Sequence, residues 1–166
     1  MTRSDRDRLE AERALRLVSV TYDGVARTLR IVVDGTRVSD ETARPDTGNT
    51  VLDNIIGTSQ PIVVLPGCRQ YTVAFEDVVA MEIRDESYAE VEPEDDFSKQ
   101  LRHYPASRFL THIRNSTFAE AVLNQRLEHW AVVTLDDVID IATQAGDVPT
   151  VSSRILTATD VWTDPD

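Results

Sequence analysis

The first part of the chain alternates apolar and polar residues. Two runs, 18–22 and 29–33, place an apolar side chain at every second position, and Asp23-Gly24 lies between them. Such alternation is typical of half-buried strands, and Asp-Gly is a common hairpin turn. These two runs therefore predict an antiparallel hairpin.

A second alternating region follows a short buried strand predicted at 61–65. It starts at Tyr71 and keeps its parity as far as Ile83, across the polar pair Glu76-Asp77. A strand that contains a bulge and a tight pair of strands both preserve such a pattern. Both interpretations remain open at this point.

Helical spacing replaces alternation after about residue 105. The apolar residues within 109–113 mark one face of a helix, and Ser107 is a suitable N-cap. Thr117 and Glu120 have the spacing of a capping box, which predicts the start of a second short helix.

The segment 127–135 has the composition of a strand. For 136–145 we predict a helix, because Thr134 and Asp137 again have capping-box spacing and Gly146 provides a stop. The β-branched residues in this segment would also suit a strand.

These elements predict an α+β fold in a single domain. We expect mainly an antiparallel sheet of about five or six strands, covered on one face by the short helices of the C-terminal half. The expected organisation is a charged N-terminal segment at 1–14, a domain at 15–162 that ends in a strand and contains a long loop at 35–60 and an acidic loop at 85–98, and a tail at 163–166.

Charge narrows the possible partners. The chain has 166 residues and a formal net charge of -12. Nucleic-acid binding depends on Lys and Arg that neutralise phosphates, so this balance argues against a nucleic-acid partner. It also argues against an anionic membrane surface and favours a basic protein partner.

The sequence favours a cytoplasmic protein. Cys68 is the single cysteine, so no internal disulfide is expected. The N-terminal residues form no apolar leader, and no window approaches the 18 or so apolar residues that a membrane helix requires.

The segment 82–96 carries eight carboxylates and a single cation, Arg84. A calcium loop needs oxygen ligands at regular spacing and a glycine at its bend, and this segment has no glycine. We therefore predict no metal site. The segment is expected to be solvated, with a partner surface formed by Glu90, Glu92, Glu94, Asp95 and Asp96.

A polar and aromatic cluster follows the acidic segment. The candidate ligand-binding residues are Arg102, His103, Tyr104, Arg108 and His129. The two arginines could hold an anionic ligand, or they could pair with the acidic segment of the same chain, which is the favoured interpretation.

No catalytic residue, metal site or cofactor is predicted. The three histidines, His103, His112 and His129, are too far apart in the sequence to match a zinc motif. The chain contains neither a G-x-S-x-G nucleophile motif nor a glycine-rich phosphate loop. Cys68 is expected to be a packing residue.

About residues 60 to 150 resemble a group of bacterial sequences. The residues that carry the resemblance are Phe75-Glu76-Asp77, Val79-Ala80, the motif RDESYA (Arg84 to Ala89), Ser107-Arg108-Phe109-Leu110, Thr117-Phe118-Ala119, His129-Trp130 and the motif DDVIDI (Asp136 to Ile141). The resemblance implies no activity, cofactor or site residue.

Three hypotheses for function follow. The first is a protein-interaction module, for example an immunity or antitoxin-like protein, that presents an acidic surface to a basic partner. The second is a small-molecule-binding domain that uses the cluster around Arg102 and His129. The third is a hydrolase in which a histidine and a carboxylate lie within hydrogen-bonding distance in a concave site. A non-enzymatic role is favoured.

Overall fold

The computed structural model describes residues 4–43, 46–91 and 95–161. Within these ranges the chain forms four α-helices and ten strands, and all strand pairs are antiparallel. The α+β, mainly antiparallel fold in one domain is therefore confirmed.

The elements are, in chain order, α1 (Asp5–Glu10), β1 (Leu15–Asp23), β2 (Thr28–Gly35), β3 (Arg37–Val38), α2 (Thr50–Ile56), β4 (Ile62–Val63), β5 (Arg69–Phe75), β6 (Ala80–Asp85), β7 (Leu101–Tyr104), α3 (Arg108–Ser116), α4 (Ala119–Leu123), β8 (Leu127–Val133), β9 (Asp137–Gln144) and β10 (Thr150–Ile155). A short 3-10 turn at Glu86–Tyr88 follows β6. None of the helices in the described ranges is long and apolar enough to cross a membrane.

The strands form two sheets that share a core. The first sheet has the order β1-β2-β5-β10, and the second has the order β6-β9-β8-β7. Strands β3 and β4 form a separate two-stranded ribbon. The core between the two sheets contains Leu9, Leu15, Leu29, Ile31, Val33, Tyr71, Val73, Phe75, Val78, Leu101, Trp130, Val132, Ile139 and Ile141.

The expected single sheet of five or six strands is thus two sheets of four strands and a ribbon. The alternation from Tyr71 to Ile83 belongs to a pair of strands, β5 and β6, which lie in different sheets. Asp77 between them has a φ of 49°, in the left-handed region, so the chain turns there while the parity of the pattern is preserved. Periodicity cannot detect such a change of sheet.

The predicted helix at 136–145 is wrong, because this segment forms β9. Its alternate residues pack on opposite faces of the sheet. Ile139 and Ile141 enter the core between the sheets, whereas Ala142 packs against α3. A strand that is buried on both faces is apolar almost throughout, and β-branched residues suit it. Thr134 and Asp137 hydrogen-bond each other in the β8–β9 turn, with distances of 2.8 to 3.0 Å, and do not cap a helix.

The two helices of the C-terminal half lie on the outer face of the second sheet. As predicted, Ser107 caps α3, and its Oγ accepts a hydrogen bond from the Leu110 amide at 3.0 Å. The capping box at Thr117 is not formed. The Glu120 carboxylate instead accepts from Arg114 and from the Leu127 amide, and thereby joins α4 to the start of β8.

The predicted loop at 35–60 contains regular structure. It includes β3 and α2, and β4 follows it. The apolar residues of α2 lie at 51, 52, 55 and 56, and all four are exposed. The N-terminal segment contains α1, whose Leu9 is fully buried in the core.

A carboxylate attaches α1 to the edge of the first sheet. Asp5 accepts hydrogen bonds from the backbone amide and the hydroxyl of Ser153, at 3.0 and 2.9 Å. The Ser153 hydroxyl and the nearby Arg8 hold the pKa of Asp5 below its ordinary value. The stabilisation of the folded state by the Asp5 carboxylate is therefore complete above the ordinary pKa of an aspartate. It is lost as the pH falls through the lowered pKa of Asp5.

We accordingly expect Asp5→Ala to lower the melting temperature at pH 7. The effect should be smaller in strong acid, because the Asp5 carboxyl of the wild type is protonated there and its charged hydrogen bonds are already lost. Thermal unfolding of both proteins between about pH 2 and 7 measures this. An equal difference at every pH would contradict the assignment.

Candidate functional site

The outer face of the second sheet carries a group of polar side chains. The register pairs Tyr104 on β7 with His129 on β8, and Ala131 with Asp140 on β9. Arg84 on β6 lies opposite Val138 on β9. The neighbouring positions Trp130, Ile139 and Ile141 face the core. Strand alternation therefore gathers these polar residues on the face that α3 covers.

Three of these residues and Ser107, the N-cap of α3, form a continuous series of hydrogen bonds. His129 Nε2 lies 2.9 Å from Asp140 Oδ1, and His129 Nδ1 lies 2.9 Å from Ser107 Oγ. Arg84 donates to the other carboxylate oxygen of Asp140 through Nε at 2.8 Å, with Nη2 at 2.7 Å. Because a carboxylate can only accept, His129 Nε2 carries the proton in its hydrogen bond to Asp140.

His129 and Asp140 are both almost completely buried. The His129 ring also lies between two aromatic rings, with centroid distances of 4.7 Å to Tyr104 and 4.9 Å to Phe109. A buried carboxylate is tolerated when a counterion and hydrogen-bond donors surround it. Here Arg84 supplies the positive charge and His129 a second hydrogen-bond donor. The hydrogen bonds of the buried Asp140 carboxylate are therefore satisfied within the protein.

A second polar group attaches the acidic segment to the same face. Asp95 accepts from Arg102 Nη1 at 2.9 Å and from the Tyr104 hydroxyl. The Asp95 side chain is only 7% exposed and that of Arg102 only 12%. Burial and the neighbouring Asp95 raise the pKa of Tyr104 above its ordinary value, so the phenol remains a donor to this carboxylate at neutral pH.

The expected solvated segment is therefore only partly solvated. Asp95 turns inward, and Glu90 pairs with Arg108 at the surface. Asp96 is exposed and interacts with Ser98 and Lys99. The prediction that Arg102 and Arg108 pair with acidic residues of the same chain matches the structure. Glu92 and Glu94 lie outside the described residues.

A cavity of about 90 Å³ lies between the acidic segment and the sheet. Its walls include three of the predicted ligand-binding residues, namely Arg102, Tyr104 and His129, together with Asp140. Such a volume holds a few waters or a very small molecule. Arg102, Tyr104, His129 and Asp140 are already engaged in hydrogen bonds within the protein, so these four offer a ligand few free donors or acceptors.

The other two predicted ligand-binding residues lie elsewhere. His103 lies on the opposite face of β7, where its ring contacts Trp130 at a centroid distance of 4.4 Å and its Nε2 lies 3.1 Å from Glu128. Arg108 lies at the surface beside Glu90. The two histidines of the predicted cluster therefore do not share a cavity.

Metal ligands are not gathered anywhere in the described ranges. No three His, Cys, Asp or Glu side chains among the described residues are placed to hold an ion. Cys68 is buried, and its sulfur lies 3.4 Å from the Leu65 amide, as a packing residue in a turn would be placed.

Further exposed carboxylates lie on β6 and in the residues that follow it. We call Glu82, Asp85, Glu86 and Glu90 the acidic face; all four are exposed. Apolar side chains lie among them, of which Tyr88 is the most exposed. Arg84 is engaged by buried Asp140, and Arg108 pairs with Glu90. The other three carboxylates still give the acidic face an excess of negative charge.

The sequence did not predict the roles of Arg84 and Asp140. Asp140 lay in a segment predicted to be a helix, which would have separated it from His129. Arg84 had no partner that its spacing could identify. Both residues, with Ser107 and His129, lie in the short motifs that carry the resemblance described above, and this was the available sequence signal.

Substitutions of Asp95 and its neighbour Asp96 test which carboxylates of the acidic segment are buried. We expect Asp95→Ala to lower the free energy of unfolding by about 2 kcal/mol, because it leaves the buried Arg102 and Tyr104 without their acceptor. Asp96→Ala, at a side chain 50% exposed, should change it by less than about 0.5 kcal/mol. Urea denaturation measures both, and equal effects would contradict the assignment.

Comparison of the chain with protein-family models, curated proteins and solved structures found no match.

Proposed function

We propose that the protein is an interaction module that presents the acidic face to a basic protein partner. The supporting observation is the division of the acidic segment into two sets of carboxylates. Asp95 turns inward and attaches the segment to the sheet, whereas Glu82, Glu86 and their neighbours remain exposed. The pairing of β6 with β9 fixes the backbone that carries Glu82 and Asp85, and this reduces the entropy lost on binding.

The composition of the surface supports the same proposal. Tyr88 and Phe97 are largely exposed, and Met81 and Ile83 are about half exposed. Aromatic residues and methionine are enriched in protein interfaces, and clustered exposed apolar groups mark interaction sites. Apolar contacts would supply affinity, while the carboxylates would select a positively charged partner and accelerate its association.

The experiment is capture of partners from the lysate of the source organism with three tagged proteins. They are the wild type, the triple variant Glu82→Gln, Glu86→Gln, Glu90→Gln, and a control triple variant Asp40→Asn, Glu41→Gln, Glu76→Gln. The control removes the same charge from exposed positions outside the acidic face. We expect a stoichiometric partner with the wild type and the control, and its loss with the first variant. Equal capture by all three proteins would contradict the proposal.

A hydrolase is the second candidate, favoured by one observation. The contacts of Ser107, His129 and Asp140 are those of a serine nucleophile, its base and an orienting carboxylate. His129 Nδ1 lies 2.9 Å from Ser107 Oγ, and His129 Nε2 lies 2.9 Å from Asp140 Oδ1. Against it, Ser107 Oγ also caps α3, and Ser107 does not wall the cavity.

A fluorophosphonate probe, which labels activated serines covalently, separates the two candidates. The hydrolase predicts labelling of the wild type and none of Ser107→Ala. The interaction module predicts no labelling of either protein. Circular dichroism of Ser107→Ala checks that loss of the cap, which costs about 1 kcal/mol, leaves the fold intact.

A further inference from the structure

Strand β6 is an edge of the second sheet, and its hydrogen-bond parity can be assigned. The Glu86 amide donates to the Asp136 carbonyl, which continues the β6–β9 register by one residue. Backbone groups of an antiparallel strand point alternately towards and away from the partner strand. Glu82 and Arg84 therefore point their amides and carbonyls towards β9.

The backbone groups of Met81 and Ile83 consequently point away from the sheet. In the described part of the chain, the amides and carbonyls of these two residues have no hydrogen-bond partner. Such outward groups can pair with an added strand. Two residues offer four backbone groups in regular spacing, which is enough to set the register of a short extended segment.

The side chains of β6 differ on its two faces. Met81 and Ile83 lie opposite Ile141 and Ile139, so they continue the apolar core surface onto the edge strand. They are 41% and 47% exposed. An added strand that carried apolar residues on this face would bury them.

The other face of β6 borders an open groove of about 410 Å³ towards α3. Its walls include Glu82, Tyr88 and Glu90, together with Arg84 and Arg108. Arg84 is already paired with Asp140, and Arg108 with Glu90. A Lys or Arg side chain that entered this groove from an added strand would find the Glu82 carboxylate and the Tyr88 ring.

We propose that β6 accepts an extended segment of a protein partner as a fifth strand of the second sheet, and that this segment alternates apolar residues with Lys or Arg. The inference rests on the proposed function, because it specifies how a basic partner would contact the acidic face. Strand addition of this kind obtains affinity from backbone hydrogen bonds and specificity from alternate side chains. A second copy of this chain is disfavoured as the occupant, since each copy carries a net charge of -12.

The test uses the full-length wild-type protein and a nine-residue peptide that alternates lysine and valine, at low salt. Amide hydrogen exchange is followed by NMR. We expect saturating peptide to slow exchange of the Met81 and Ile83 amides by at least about tenfold, because they gain acceptors, and to leave Glu82 and Arg84 nearly unchanged. A peptide of the same sequence with N-methylated backbone amides should bind at least about tenfold more weakly.

Four results would overturn strand addition. The first two are no binding of the lysine peptide, and binding that leaves amide exchange at Met81 and Ile83 unchanged. The third is equal binding of the N-methylated peptide. The fourth is protection of these amides that rises with protein concentration in the absence of peptide, which would assign the edge to a second copy of the chain. None of them removes the acidic-face proposal. That proposal fails separately, if the variant lacking charge at Glu82, Glu86 and Glu90 captures the same partner from lysate as the wild type.

Discussion

Replacing Asp140 with alanine is expected to lower the free energy of unfolding by about 3 kcal/mol. The substitution removes a buried acceptor from His129 and the counterion of Arg84. Breaking one partner out of a buried pair costs about 3 to 5 kcal/mol, and we take the lower end because the Arg84 side chain is partly exposed and can be solvated. Urea denaturation at pH 7 measures the effect.

Asp136→Ala is the matched control, because Asp136 is an exposed aspartate four residues earlier. It should change the free energy of unfolding by less than about 0.5 kcal/mol. Asp140→Asn keeps the shape and one acceptor oxygen, so we expect a smaller loss than with alanine. If Asp140→Ala were as mild as Asp136→Ala, the buried hydrogen-bond chain would not exist as described.

Replacing Ile141 with alanine is expected to lower the free energy of unfolding by about 3.5 kcal/mol. Ile141 is fully buried on β9, between the two sheets. Truncation of a buried isoleucine to alanine costs about 2 to 5 kcal/mol, since the contacts of the lost methyl groups are not replaced. Chemical denaturation gives this value directly.

Ile155→Ala is the corresponding control, because Ile155 is 56% exposed on the edge strand β10. Its effect should stay below about 1 kcal/mol. The pair also distinguishes the two interpretations of 136–145. In a strand, both Ile139 and Ile141 face the core, and alanine at either position should cost about the same. A large cost at one and a negligible cost at the other would favour the helical interpretation.

The antiparallel strands of the first half of the chain could be predicted because their two faces differ. The β2 residues Leu29, Ile31 and Val33 are fully buried, and the intervening residues are not. The predicted hairpin is formed, but its turn spans the four residues 24–27 and is not a two-residue Asp-Gly turn. The Asp23 carboxylate accepts from the Val25 and Ala26 amides at 2.9 and 3.0 Å, and Arg27 takes the left-handed conformation. Local alternation is sufficient for this hairpin, since β1 and β2 pair with each other and are neighbours in the sequence.

Strand β9 could not be predicted with the same rule, because it is covered by the first sheet on one side and by α3 on the other. Both sets of alternate residues are then buried, and the pattern no longer distinguishes strand from helix. The error extended to the site. With 136–145 predicted as a helix, no strand pairing was expected between this segment and β8. The proximity of Asp140 to His129 was therefore not predicted.

The acidic segment shows a further limit of sequence reasoning. Asp95 and Asp96 are identical in type and adjacent, yet Asp95 is buried against Arg102 while Asp96 is exposed. Composition gives the total charge of such a segment, but the direction of each side chain depends on residues far away in the fold. The sequence predicted that Arg102 pairs with a carboxylate of the acidic segment. It did not predict that the partner is Asp95 or that the pair is buried.

The most direct test of the account is the salt dependence of partner affinity for the wild type, the acidic-face variant (Glu82→Gln, Glu86→Gln, Glu90→Gln) and the control variant (Asp40→Asn, Glu41→Gln, Glu76→Gln). Titration calorimetry with the captured partner at about 50 and 200 mM salt provides it. We expect the acidic-face variant to lose roughly tenfold or more in affinity at low salt and much of its salt dependence, and the control variant to match the wild type within roughly threefold. Affinities that are equal for all three proteins and insensitive to salt would contradict it.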